Sequence, residues 1–163
     1  MRGRGARRNL TDRQTGRPPL ARPLADGDHA RTLVDPPIWF NEGTAEFWGT
    51  ARQYRGSVQG GQVRKDHLAT LARSKAALPK LQQFVHGTRG DFYANAHLRY
   101  AQAWALVHFL RKGSPFNQRL FGRLQAQLRT DKPLAAAVDA AFDGVDWQKF
   151  ETDFQAYVRS LQD

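Results

Sequence analysis

Ten consecutive residues, Ala101 to Leu110 (AQAWALVHFL), constrain this chain more than any other stretch. They sit inside a predicted helix from about Ala94 to Lys112, and the segment is apolar almost all round. A helix without a polar face has to be surrounded by the rest of its domain. Arg111 and Lys112 suit the negative C-terminal end of that helix, and Gly113 closes it. The remaining sequence must therefore supply a shell.

The shell reads as further helices. Pro36 and Pro37 stop the incoming chain and suit the first turn of a helix from about Ile38 to Tyr54. GSVQGGQ follows as a glycine-rich loop. A second helix spans roughly Val63 to Leu78, with Leu68, Leu71 and Leu78 as its apolar positions, and Pro79 ends or restarts it. Leu81, Phe84 and Val85 suggest a short helical turn, and His86 to Gly90 reads as a loop. Ser114-Pro115 is an N-cap and first-turn pair for a helix in which Phe116, Leu120, Leu124 and Leu128 repeat every four residues. Pro133 opens a short helix carrying Leu134, Val138 and Phe142. The last helix, from about Asp146 to Leu161, has a stripe of Trp147, Phe150, Phe154, Tyr157, Val158 and Leu161. No segment alternates as a strand. The expected fold is mainly α, a compact array of about six helices over residues 36–163, long enough for one real core.

Residues 1–35 differ in kind. Arg, Gly, Pro and Ala dominate, the few apolar residues show no period, and Pro18, Pro19 and Pro23 break any helix. This stretch is expected to be a disordered tail. It carries eight of the arginines behind the net charge of +10. Such an excess fits nucleic acid, an anionic surface, or arginine-rich codon usage, and charge alone does not choose among them. There are no cysteines, which excludes disulfides and thiolate metal sites without fixing the compartment. No apolar run is long enough to span a bilayer and no signal-peptide stretch is present, so localisation is left open.

Chemistry is concentrated in PPIWFNEGTAEFWGT, residues 36–50. Glu42 and Glu46 are four apart and share one helix face. Neither has a Lys or Arg four residues away on its own helix, and Trp39, Phe40, Phe47 and Trp48 crowd them. Two readings stand: a solvated face near a helix N-terminus, favoured by the helix dipole, or a metal or catalytic site.

WFNEGTAEF, residues 39–47, resembles the downstream motif of the gluzincin zinc metallopeptidases. YAQAWALVHFL, residues 100–110, is similar to the segment that opens on a tyrosine in the aminopeptidase-type members. Together with VDWQKFETDFQAYVRSL near the C-terminus, these segments look like a bacterial domain of unknown function of the peptidase-MA-like kind, over residues 36–163. The resemblance implies that these residues form the C-terminal helical subdomain of such a fold. It implies that Glu42 is the third zinc ligand, a role carboxylate oxygen fills readily. It places Glu46 and Asn41 around the ligand, with Glu46 orienting a zinc-bound histidine. It gives Tyr100 the task of stabilising the oxyanion; the other reading of Tyr100 is a residue that opens a buried helix and satisfies its hydroxyl locally. Zinc as cofactor and a peptide or protein as substrate follow for intact relatives. Ala101-Gln102-Ala103 stand where the aminopeptidases have Glu-Lys-Gly, so an aminopeptidase specificity is not implied.

The two-histidine motif HExxH is not in the chain. Of the histidines, His29 reads as a tail residue, His67 and His86 as surface, His97 as sharing a helix face with Tyr100, and His108 as a satisfied core residue. Either the β-rich half of the fold has been lost, or residues 1–35 are not the natural upstream sequence; GC-rich DNA read in a wrong frame gives such a composition, and this second account is preferred. The chain itself is expected to bind no zinc tightly and to be inactive. It is also expected to self-associate through the face that the missing half would cover. A non-catalytic helical binding module is the main alternative. A basic nucleic-acid binder using Arg2, Arg4, Arg7, Arg8, Arg13, Arg17, Arg22 and Arg31 is a third reading.

Overall fold

Every residue from Ala101 to Leu110 is buried within α5 (Ala96–Lys112), and the other elements pack around that helix. The computed structural model describes residues 35–74 and 77–162. Apart from Asp35, the stretch expected to be a disordered tail lies outside the described residues. In chain order the elements are α1 (Ile38–Gly49), β1 (Arg52–Tyr54), β2 (Ser57–Gln59), α2 (Lys65–Arg73), α3 (Leu81–Val85), α4 (Arg89–Tyr93), α5, α6 (Pro115–Gln127), α7 (Leu134–Phe142) and α8 (Trp147–Ser160).

The mainly helical class is as expected, with eight helices among the described residues in place of about six. The two additional ones are short. α3 is the helical turn expected around Leu81. α4 falls partly where a loop was expected, and a reciprocal cap makes it: the Thr88 hydroxyl accepts from the Asp91 N–H at 3.2 Å while the Thr88 N–H donates to the Asp91 carboxylate at 2.9 Å.

A second difference lies after α1. The helix stops at Gly49, and Arg52–Tyr54 pairs antiparallel with Ser57–Gln59 in the register Arg52 to Gln59, Gln53 to Val58 and Tyr54 to Ser57. Arg55 (φ 48°) and Gly56 (φ 79°) form the left-handed two-residue turn that a tight hairpin requires. Both strands are exposed along their whole length. No apolar alternation marks them in the sequence because neither face is buried.

α1 and α5 approach each other closely in the core. A Cβ on Gly43 would lie 2.4 Å from the Ala103 carbonyl oxygen and 2.8 Å from a Val107 methyl. The absence of a side chain at this one position lets the backbone of α1 meet the backbone of α5 at Ala103 and the side chain of Val107. The Trp39 indole N–H donates to the Val85 carbonyl at 3.0 Å, tying α1 to the end of α3. On the other side of α5, Phe109 packs against Phe150, Phe154 and Tyr157 of α8, with ring centroids 5.3, 5.7 and 5.2 Å away. α8 is also held to α3, whose Leu81 N–H donates to Glu151 at 2.7 Å. On α6 the four-residue stripe is buried at Leu120 and Leu124 but not at Phe116, which is 46% exposed. Among the described residues no helix is long and apolar enough to cross a membrane.

Gly43→Ala is expected to destabilise the protein by about 1–3 kcal/mol, because the added methyl meets a backbone carbonyl that cannot rotate away. Gly49→Ala, on the same helix but with open space around it, is expected to stabilise by up to about 1 kcal/mol through helix propensity. Urea midpoints of the two variants against the parent give the comparison; equal shifts of one sign would contradict the close-approach account.

Candidate functional site

Glu42 and Glu46 lie one turn apart on α1 and meet different surroundings. Both are partly buried, and Asn41 beside Glu42 is exposed. Glu42 faces the end of α4 and the start of α5. The Tyr93 hydroxyl donates to Glu42 Oε1 at 3.3 Å. Tyr100 faces the same carboxylate. Its phenol is pushed up to about 12, first by burial and then by hydrogen bonding to Glu42 and the negative charge there. The Phe92 ring, 5.2 Å from Tyr100 and edge-on to it, closes the inner side. The structure thus brings together Glu42 and Tyr100, 58 positions apart in the chain, and adds Tyr93 to them. Nothing in the local sequence marks Tyr93, since its role depends on α4.

Glu46 meets a guanidinium and an imidazole in place of phenols. The Arg64 guanidinium bonds its Oε2, and His67 Nε2 lies 3.1 Å from the same oxygen. Arg64 also grips Asp66 through Nε at 3.2 Å and Nη2 at 2.5 Å. That grip is the main reason the Asp66 carboxyl is held at about 2. These partners come from the loop before α2 and from its first turn, which is why no basic neighbour is visible on α1 itself.

His67 corrects the expectation of a surface histidine. Its side chain is 8% exposed and its ring lies 5.5 Å from that of Trp104. Burial follows from packing of α2 on α5, although Lys65 and Asp66 precede it. With a carboxylate as the neighbour of Nε2, that nitrogen carries the proton. Nδ1 is then a buried nitrogen without a hydrogen-bond partner, 3.9 Å from Asp66 Oδ2. The histidine in contact with Glu46 is thus a downstream one, His67.

The other histidines fall into place around this. His97 Nε2 is 3.0 Å from the Thr70 hydroxyl on α2, so it serves a different contact from Tyr100. His108 is a satisfied core residue: Nε2 donates to the Gly61 carbonyl at 3.1 Å and Nδ1 meets the Tyr157 hydroxyl at 2.7 Å. Burial lowers its pKa, in keeping with a neutral ring. Gly61 has φ 72°, and a Cβ there would enter the Phe47 ring at 2.2 Å, so the loop carbonyl reaches His108 only through glycine. His86 spans two acceptors, the Gln82 carbonyl and Asp139, both at 2.8 Å. Burial lowers its pKa, but these two bonds outweigh burial and the net shift is upward.

Zinc in a catalytic site takes three protein ligands with an open position. Among the described residues no group of three or more His, Asp or Glu side chains is placed to hold a metal ion. Glu42 offers one carboxylate beside two phenols, and Glu46 is already bonded to Arg64 and His67. The described residues do not fit zinc by themselves. What the Glu42 cluster does supply is a carboxylate acceptor and a neutral phenol that stays a proton donor throughout the neutral range.

Ultraviolet titration of Tyr100, isolated by comparison with Tyr100→Phe, is expected to show a midpoint near 12 that falls toward 10 in Glu42→Gln, with burial alone keeping part of the shift. The raised pKa means that the contribution of Tyr100 to stability is complete below pH 10 and is lost as pH rises through about 12. An unchanged midpoint in Glu42→Gln would separate the two residues. Comparison of the chain with family models, with curated proteins and with solved structures gives no significant match.

Proposed function

We propose that residues 36–163 are the helical half of a gluzincin-type peptide hydrolase, presenting one carboxylate and one phenol to a site completed by a segment outside the described residues. The observation that carries this reading is the meeting of Glu42 with Tyr100. The two belong to separate motifs, and they share one partly buried cluster. In this reading Glu42 is the third ligand and Glu46 supports the site from one turn away. Tyr100 donates to the oxygen that gains charge when a peptide carbonyl is attacked. A phenol suits that last task, because it is protonated at neutral pH and can donate to the oxygen on which charge develops. The two histidines and the general base belong to an HExxH segment that this chain does not contain.

One observation favours a second reading, a helical binding module that keeps the cleft without catalysis. Among the described residues Glu42 meets phenols and no basic side chain: it accepts from Tyr93 and faces Tyr100. The arginines that would support nucleic-acid binding, at positions from 2 to 31, lie outside the described residues.

The coding DNA upstream of residue 36 separates the first two readings. Read in all three frames, it is expected to contain HExxH roughly twenty codons or more before Glu42. The protein extended through that segment is expected to bind one zinc, lost in Glu42→Ala, and to cleave peptides. Tyr100→Phe is expected to keep the zinc and lower kcat by about 10²-fold. Absence of the motif from every frame, or stoichiometric zinc on the present chain removable by Glu42→Ala, would overturn the half-site reading.

A further inference from the structure

A cavity of about 270 Å³ lies beside the Glu42 cluster, and no role assigned above uses it. Ile38, Phe84 and Phe92 give it an apolar wall; Asp91 and Arg99 are its charged groups. Ile38 is one helical turn before Glu42, and the Phe92 ring that faces the cavity also packs on Tyr100.

Arg99 is the unusual residue here. It is half-buried, and burial draws its pKa down while Asp91 draws it back. A guanidinium has five N–H donors. The single hydrogen bond it makes among the described residues runs from Nη1 to the neutral amide oxygen of Gln102, at 3.4 Å. Gln102 is itself fixed, buried and donating to the Pro79 carbonyl at 3.0 Å. No carboxylate lies within ion-pair distance of Arg99 among the described residues. Asp91 has Oδ2 engaged by the N–H and hydroxyl of Thr88, at 2.9 and 2.6 Å, which holds it on the cap. A partly desolvated arginine with a planar fork of unused donors is suited to a carboxylate.

We propose that this cavity binds the α-carboxylate of an amino acid or of a peptide C-terminus, gripped by Arg99, with the neighbouring α-nitrogen toward Asp91 and an apolar side chain against Ile38, Phe84 and Phe92. The three parts of the lining match the three parts of such a ligand. A cation meets the carboxylate, an ionised carboxylate meets an N–H or an ammonium, and an aromatic and aliphatic wall meets the side chain. The cavity volume admits a residue the size of leucine, with its main-chain groups at the open side. An inorganic anion would satisfy Arg99 but would leave the apolar wall bare and would offer Asp91 no nitrogen donor. The proposal does not rest on the half-site reading, since none of the groups assigned to the ligand is Glu42, Glu46 or Tyr100.

The test is titration of the full chain with leucine, acetyl-leucine, acetyl-leucinamide and inorganic phosphate, followed by amide chemical shifts at Gly87 and Ala94 on the cavity lining. Leucine, acetyl-leucine or both are expected to shift these signals saturably, and which of them does so tells a free amino acid from a peptide terminus. Acetyl-leucinamide, which lacks the carboxylate, is expected to bind at least about tenfold more weakly. Arg99→Gln is expected to cause a similar loss, and Arg99→Lys to recover part of it as a point charge without the fork. Ala94→Trp, at the exposed rim, is expected to block binding while leaving Arg99 untouched, and serves should Arg99→Gln fail to fold. Equal binding of the amide, equal binding of phosphate, undiminished binding in both Arg99→Gln and Ala94→Trp, or no saturable shift with either carboxylate would overturn the proposal.

Discussion

The contact between Gly43 and the Ala103 backbone sets the geometry of this protein. α1 can lie against α5 at that distance only because position 43 has no side chain. From this contact the rest of α1 follows. Trp39, one turn earlier, reaches the Val85 carbonyl, and Phe47, one turn later, covers Gly61 of the loop that bonds His108. Glu42 and Glu46 flank the contact in sequence, and their distance from α5 and its neighbours is fixed by it. A glycine that reads in the motif as part of a metal-site signature has a structural reason of its own.

The same helix shows how environment divides two identical side chains. Glu42 and Glu46 begin with the same chemistry and differ only by one turn. Glu42 meets phenols, which stabilise an anion by hydrogen bonding and are themselves made harder to ionise by it. Glu46 meets Arg64 and His67, so its charge is countered by one guanidinium and one imidazole N–H. Among the described residues the first carboxylate therefore has no basic partner and the second does.

The sequence carried the helical class because burial of α5 leaves an unmistakable pattern, ten residues without a polar face. The expectation that Glu42 and Tyr100 share a site rested only on the resemblance of two motifs, since nothing in spacing alone links positions so far apart. What escaped the sequence pattern has a common cause. The hairpin has no buried face, so its strands do not alternate. α4 depends on a reciprocal Thr88–Asp91 cap within a segment rich in glycine and polar residues, which resembles a loop. His67 lies on the buried face of α2 with Leu68, Thr70 and Leu71, where that helix docks on α5. Two of those four residues are polar, so the pattern marks the leucines and leaves the histidine looking solvated.

α4 joins these observations. A helix of five residues cannot hold itself together by backbone bonds, because nucleation costs more than so few bonds return. It persists because Thr88 and Asp91 cap each other and because Phe92 is buried beneath it. Its successive side chains then serve both candidate sites: Asp91 and Phe92 line the Arg99 cavity, Phe92 also backs Tyr100, and Tyr93 donates to Glu42. The carboxylate–phenol cluster and the cavity are in this sense two sides of one short element. Whatever positions α4 positions both, so occupancy of the cavity against Phe92 would bear directly on the ring that holds the Tyr100 phenol beside Glu42.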